Sequence, residues 1–218
     1  MRDQPVEAWL AALASSEPAP GGGAVAALNA AFGAALVEMA CNLTIGRPRY
    51  AQHEPEMRAV LAEATKLRNR ALHLAADDVK AFGAVSEAYT LARETDEQRQ
   101  ARTEQIRHAM VEATEVPLNT ALVAGEIIRL ARRIVDGANA NVLADIAAAT
   151  ISARAALETA LINVEANLAT IKDPSWEKEF SERLSDVSWL TGEAERTVHD
   201  IRGRMSGRAS SKDGGTGH

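Results

Sequence analysis

Apolar residues recur at helical spacing along almost the whole chain, and no run alternates in the two-residue rhythm of a half-buried strand. Met57, Val60, Leu61, Ala64, Leu67, Ala71, Ala75, Phe82, Val85 and Tyr89 fall on one stripe of what reads as a single long helix. A chain patterned this way cannot build a sheet, so its apolar stripes must bury against one another. The spacing predicts helices over 5–14, 22–44, 54–93, 97–135, 141–171 and 176–202. Pro117 is expected to kink or split the fourth. Pro5 suits a helix start, and Thr95 or Asp96 is a suitable cap for the fourth helix. The expected fold is all-α: an antiparallel bundle of long helices with a short N-terminal helix, forming one domain over 1–203. Residues 204–218, rich in glycine and serine, read as a disordered tail.

Aromatic residues make up only 4% of the 218 residues, so close helix contacts must rest on small side chains, chiefly alanine. The 24 basic and 30 acidic residues leave a net charge of −6, which argues against nucleic acid as the main partner. Cys41 is the sole cysteine, which removes any internal disulfide or thiolate cluster, and its apolar setting suggests an inert thiol. The N-terminal "MRDQPVEAWL" has no apolar signal core, and no apolar run reads as membrane-spanning. A cytoplasmic protein is expected, with no membrane partner.

One loop stands apart. "SSEPAPGGGAVAAL" sets two prolines and three glycines before an alanine-rich helix. Gly21, Gly23 and Ala26 formally match a dinucleotide fingerprint, but that motif carries meaning only after a strand, and none precedes it. No Gly-Lys-Ser/Thr follows, so a phosphate-binding Walker loop is excluded too. Two readings remain. Gly21, Gly22 and Gly23, with Pro20, either line a ligand site at a helix N-terminus or form a tight turn beneath a neighbouring helix.

Asp78 in "LAADDVKAF" falls on the core stripe, three residues after Ala75 and four before Phe82. A carboxylate there either has a raised pKa, suiting a general acid or base, or pairs with an arginine or caps a neighbouring helix. The fifth helix carries a line of small polar residues: Asn141, Asp145, Ser152, Thr159, Asn163 and Asn167. It could hydrogen-bond a polar heterocycle or satisfy itself between packed helices. Arg47 and Arg49 beside Tyr50 could grip a carboxylate or simply form a solvated turn. The five histidines lack ligand spacing, so no metal site is expected.

Together, "PAPGGGAVAAL", "MACNLTIGRPRY", "DDVKAF", "EVPL", "GANANVLAD" and "NVEANL" resemble the cyclodeaminase/cyclohydrolase family of folate enzymes. The "CNLTIGRPRY" and "TDEQRQAR" segments look nearest to its stand-alone methenyltetrahydrofolate cyclohydrolases. The resemblance implies an all-helical homodimer with a folate pocket near the glycine loop and no metal or organic cofactor. On that resemblance Asp78 is expected to be the principal catalytic acid/base or charge stabiliser, with Asp145 the second catalytic carboxylate or a pterin anchor. Pro20, Gly21, Gly22, Gly23, Asn42, Arg47, Tyr50, Phe82, Asn141 and Asn163 would bind substrate. The expected reaction is hydrolysis of 5,10-methenyltetrahydrofolate to 10-formyltetrahydrofolate. Formiminotetrahydrofolate cyclodeaminase activity and a non-catalytic helical interaction protein are the alternatives.

Overall fold

The computed structural model describes residues 4–213, with side chains to residue 207. Seven α-helices follow one another: α1 (Val6–Leu13), α2 (Gly22–Asn42), α3 (Glu54–Thr90), α4 (Asp96–Ile134), α5 (Leu143–Ile171), α6 (Pro174–Ser188) and α7 (Leu190–Asp213). Short 3₁₀ turns over Pro48–His53 and Ala140–Val142 lead into α3 and α5. No strand occurs among the described residues. The fold is all-α.

Helices α2 to α5 form the core, each packed against its chain neighbours and α5 closing back onto α2. Helices α6 and α7 lie outside against α4 and α5. Alanine makes the close contacts possible. Ala27, Ala30 and Ala34 of α2, Ala64 and Ala71 of α3, Ala121 and Ala124 of α4, and Ala149 and Ala153 of α5 are all buried completely. At the tightest α2–α5 approach, a Cβ on Gly33 would meet the Ala149 carbonyl oxygen at 3.0 Å and the Ala153 Cβ at 3.3 Å. Glycine there lets the two backbones come together.

Local signals fix the ends of these helices. Thr95 accepts the Gln98 amide while the Gln98 side chain accepts the Thr95 amide, a complete capping box that starts α4. Asp173 accepts the Ser175 amide at the start of α6, with Pro174 at the first helical position.

Several expectations are corrected. Pro117 does not split α4, which continues through it. The expected helix over 176–202 is two, separated at Trp189, and α7 is described as far as Asp213. The tail residues 214–218 lie outside the described residues. Phe82 and Tyr89 are 42% and 48% exposed; Val85 and Ala88 carry the buried stripe at that end of α3 instead. On α5, Arg154 pairs with Glu195 of α7 at 2.9 Å. Finally, α2 and the stretch Ala140–Ile171 are long and apolar enough to cross a membrane by length and composition. Here both are core helices of the bundle.

Candidate active site

The loop before α2 packs toward the C-terminal half of α3. The two adjacent aspartates there point to different environments. Asp77 faces outward near Lys80, 3.8 Å away, whereas Asp78 turns toward the first turn of α2. A Cβ built on Gly23 would lie 2.0 Å from Asp78 Oδ1 and 2.6 Å from its Cγ. Only a residue without a side chain lets the carboxylate sit there. The bareness of the glycine loop is therefore explained in part by Asp78.

Burial pushes the Asp78 carboxyl above its ordinary pKa, while the Ala24 amide in the first turn of α2 pulls it the other way. No cation contributes, and Asp78 has no ion-pair partner among the described residues. Of the readings open from sequence, pairing with arginine is removed. A carboxylate held at a helix N-terminus, yet still reluctant to ionise, is what the fold contains.

Asp78 opens onto a cavity of about 360 Å³, within the roughly 300–1,000 Å³ common for small-molecule sites. Gly21, Gly22 and Gly23 form one wall, and Asp78, Phe82 and Val85 of α3 a second. Asn163 and Asn167 of α5 supply amides, and Met110, Ala113 and Pro117 of α4 complete the lining. Asn163 donates its Nδ2 to the Thr159 carbonyl at 2.8 Å, which leaves its Oδ1 to serve as an acceptor. Phe82, exposed in the bundle, contributes an apolar ring at this mouth. The α4 wall was not legible as a site in the sequence, since its residues are apolar. The signals were a proline inside a helical pattern and the "EVPL" segment around it.

A larger cleft of about 550 Å³ lies between α5 and α7, but Arg154 within it is already neutralised by Glu158 and Glu195. Among the described residues, no group of three or more His, Cys, Asp or Glu side chains gathers as a metal site. Cys41 is fully buried and its thiol is pushed up to about 12, first by burial and then by Glu38, so it is unreactive.

A family model described as formiminotransferase-cyclodeaminase matches residues 5–186. The chain belongs to that family. It is 39% identical to a methenyltetrahydrofolate cyclohydrolase from Methylorubrum extorquens, across 94% of this chain and 99% of that protein. It is 28% identical to the formimidoyltransferase-cyclodeaminase of Rattus norvegicus, covering 85% of this chain but only 34% of the rat protein. The fold matches the crystal structure of formiminotetrahydrofolate cyclodeaminase from Thermotoga maritima with a TM-score of 0.82 at 25% identity. That match covers 92% of this chain and 96% of the other.

In this member of the formiminotransferase-cyclodeaminase family, the sequence candidates do not all meet. Gly21, Gly22, Gly23, Asp78, Phe82 and Asn163 share the cavity, and Pro20 lies in the same loop. Asn42, Arg47, Tyr50, Asn141 and Asp145 lie at the other end of α2 and α5. Eighteen residues of α5 separate Asp145 from Asn163, about 27 Å at 1.5 Å per residue. Asp145 is half-buried in the first turn of α5, and Asn42, Arg47 and Asn141 are exposed.

That far end is a structural staple. Buried Thr44 donates to the Ala40 carbonyl at 2.7 Å and accepts the Asn139 amide at 2.9 Å. Asn139 Nδ2 donates to the Leu43 carbonyl at 3.1 Å, and the Tyr50 hydroxyl accepts the Ala140 amide at 3.0 Å. The "LTIGRPRY" and "GANAN" turns thus fasten each other. Thr44→Val keeps the shape but strands the buried Asn139 amide, which is expected to cost about 1–3 kcal/mol. A lower urea midpoint with an unchanged m-value would register it, and an unchanged midpoint would count against the staple.

Proposed function

We propose that this protein is a methenyltetrahydrofolate cyclohydrolase, adding water to 5,10-methenyltetrahydrofolate to give 10-formyltetrahydrofolate. The observation that carries the reading is the Asp78 carboxyl, held against Gly23 at the edge of a cavity of about 360 Å³ with no cation to neutralise it. The 39% identity to a cyclohydrolase along nearly the whole of both chains supports it.

The substrate's amidinium carbon bridges N5 and N10 and bears the positive charge. As water attacks, the Asp78 carboxylate accepts one of its protons and a C–O bond forms. That proton passes to N5, the C–N5 bond breaks, and the hydroxyl proton leaves to solvent as the formyl C=O forms on N10. One water is consumed and one proton released. A carboxyl with a pKa raised toward the working range suits both halves of this transfer. Before transfer, its negative form also stabilises the substrate cation. Asn163 and the glycine wall would hold the flat pterin, with Phe82 against its face.

The substrate brings its own electrophile, so this reading calls for no metal or organic cofactor. The second carboxylate, Asp145, has no role in it within one chain. A homodimer is also proposed, supported by the exposed apolar side chains Phe32 and Met39 of α2 and Leu43 just after it. A cytoplasmic location accords with a folate substrate.

The experiment is direct. Purified protein is mixed with 5,10-methenyltetrahydrofolate and the loss of its absorbance followed, then offered 5-formiminotetrahydrofolate with an assay for ammonia. Catalysed loss of the methenyl band with no ammonia release is the expected result. Ammonia release without hydrolysis would replace this activity by the cyclodeaminase one. Silence in both would leave the helical interaction reading.

A further inference from the structure

Pro117 stands inside a 39-residue helix that does not break at it. A proline has no amide hydrogen, so the carbonyl four residues back loses its usual helical donor and is pushed outward by the ring. That carbonyl belongs to Ala113. Both Ala113 and Pro117 line the Asp78 cavity, and Met110, a further turn back, lies on the same face. Around the break other carbonyls are doubly served: Thr114 donates to Met110, Asn119 to Glu115 and Thr120 to Val116. Among the described residues no side chain donates to Ala113. The carbonyl deprived of its amide thus belongs to a residue of the cavity wall.

We infer that Pro117 turns the Ala113 main-chain carbonyl into a hydrogen-bond acceptor for the substrate, taking an N–H of the pterin ring. The inference rests on the folate reading of the same cavity. A pterin presents several N–H donors along its aminopyrimidine edge, and an edge of donors needs acceptors to meet it. Asn163 Oδ1 is one acceptor, on α5. Ala113 O is the second, on α4, and a main-chain oxygen fixed in a helix is preorganised for the task. Pro117 is a positioning residue in this scheme.

Two variants test it. Pro117→Ala restores an amide hydrogen and closes the helical bond onto Ala113, and Pro117→Val does the same while retaining side-chain bulk. Both are expected to melt higher than the wild type, since proline is the poorest residue for a helix interior. Both are also expected to raise KM for 5,10-methenyltetrahydrofolate by roughly 2- to 10-fold with kcat little changed, the loss of one neutral hydrogen bond made in ground and transition state alike. A merely structural proline would raise or lower stability without this split.

The decisive readout does not need turnover. With alanine carbonyls labelled with carbon-13, the Ala113 resonance is expected to shift when tetrahydrofolate is added to the wild type, and not in either variant. No shift in the wild type overturns the inference, as does a lower melting temperature in both variants. A KM rise in Pro117→Ala alone would mean that ring bulk matters rather than the carbonyl, and also overturns it. A wild-type protein that binds tetrahydrofolate with the shift but hydrolyses nothing would overturn the cyclohydrolase reading and leave this one standing.

Discussion

Asp78→Asn is expected to remain folded and to lose about 10²–10⁴-fold in turnover of 5,10-methenyltetrahydrofolate, the usual contribution of a positioned acid–base group. Asparagine matches aspartate in shape and fits against Gly23, so the cavity should keep its form, but it can neither take nor return a proton. The same substitution is expected to stabilise the fold at neutral pH. Burial raises the Asp78 pKa in the folded state. Between the unfolded value, about 3.9, and the raised folded one, the folded chain therefore holds a proton that the unfolded chain has lost, and stability falls as pH rises through this window. Above it, the ionised carboxylate sits in the fold with only the Ala24 amide to offset its burial. The asparagine variant carries no such penalty, so its advantage in melting temperature should be full above the window and vanish below about pH 4. Turnover rates from the absorbance assay, together with melts from pH 3 to 8, read both effects. Wild-type turnover in the folded variant would remove Asp78 from the chemistry, and a pH-independent difference in melting would remove the burial argument.

This residue is also where the sequence spoke most clearly. An aspartate at core spacing on a long amphipathic stripe contradicts the local pattern, and such contradictions collect at sites. The helices themselves were equally plain, since periodicity of 3.6 sustained over 37 residues in α3 leaves no competing structure. What the pattern could not supply was position along the bundle. Arg47, Tyr50, Asn141 and Asp145 look like site residues as letters, but helical rise alone carries Asp145 about 27 Å from Asn163. Their turns are fastened to each other through Thr44 and Asn139. The α4 wall was illegible for a different reason. Met110, Ala113 and Pro117 have no titratable group, and what they offer the cavity is shape and a main-chain oxygen. Phe82 shows the limit of a stripe read over ten turns: small departures from ideal spacing accumulate, and the ring ends at the mouth of the cavity rather than in the core.

Gly23→Ala sets two ordinary rules against each other, and the expected outcome is loss of both activity and stability. Helix propensity alone favours alanine over glycine by about 1 kcal/mol in a helix interior. The added methyl, however, would stand 2.0 Å from Asp78 Oδ1, 2.6 Å from Cγ and 3.0 Å from Oδ2. Aspartate is short and anchored to α3, so its carboxylate cannot withdraw without turning out of the cavity or prying α3 from α2. Overpacking of this kind typically costs about 1–3 kcal/mol, which outweighs the propensity gain. Turnover should drop to about the level of Asp78→Asn, since the carboxylate is displaced from the substrate. Gly22 provides the comparison: a Cβ there would meet only Asn163 Nδ2, at 3.8 Å, so Gly22→Ala should not be destabilising. The double variant Gly23→Ala with Asp78→Ala isolates the cause. With the carboxylate gone the methyl has room, so in that background Gly23→Ala should switch from destabilising to neutral or stabilising, a coupling that independent sites do not show. Equal destabilisation in both backgrounds would mean that Gly23 is bare for some reason other than Asp78, and the link between the glycine loop and the carboxylate would fall with it.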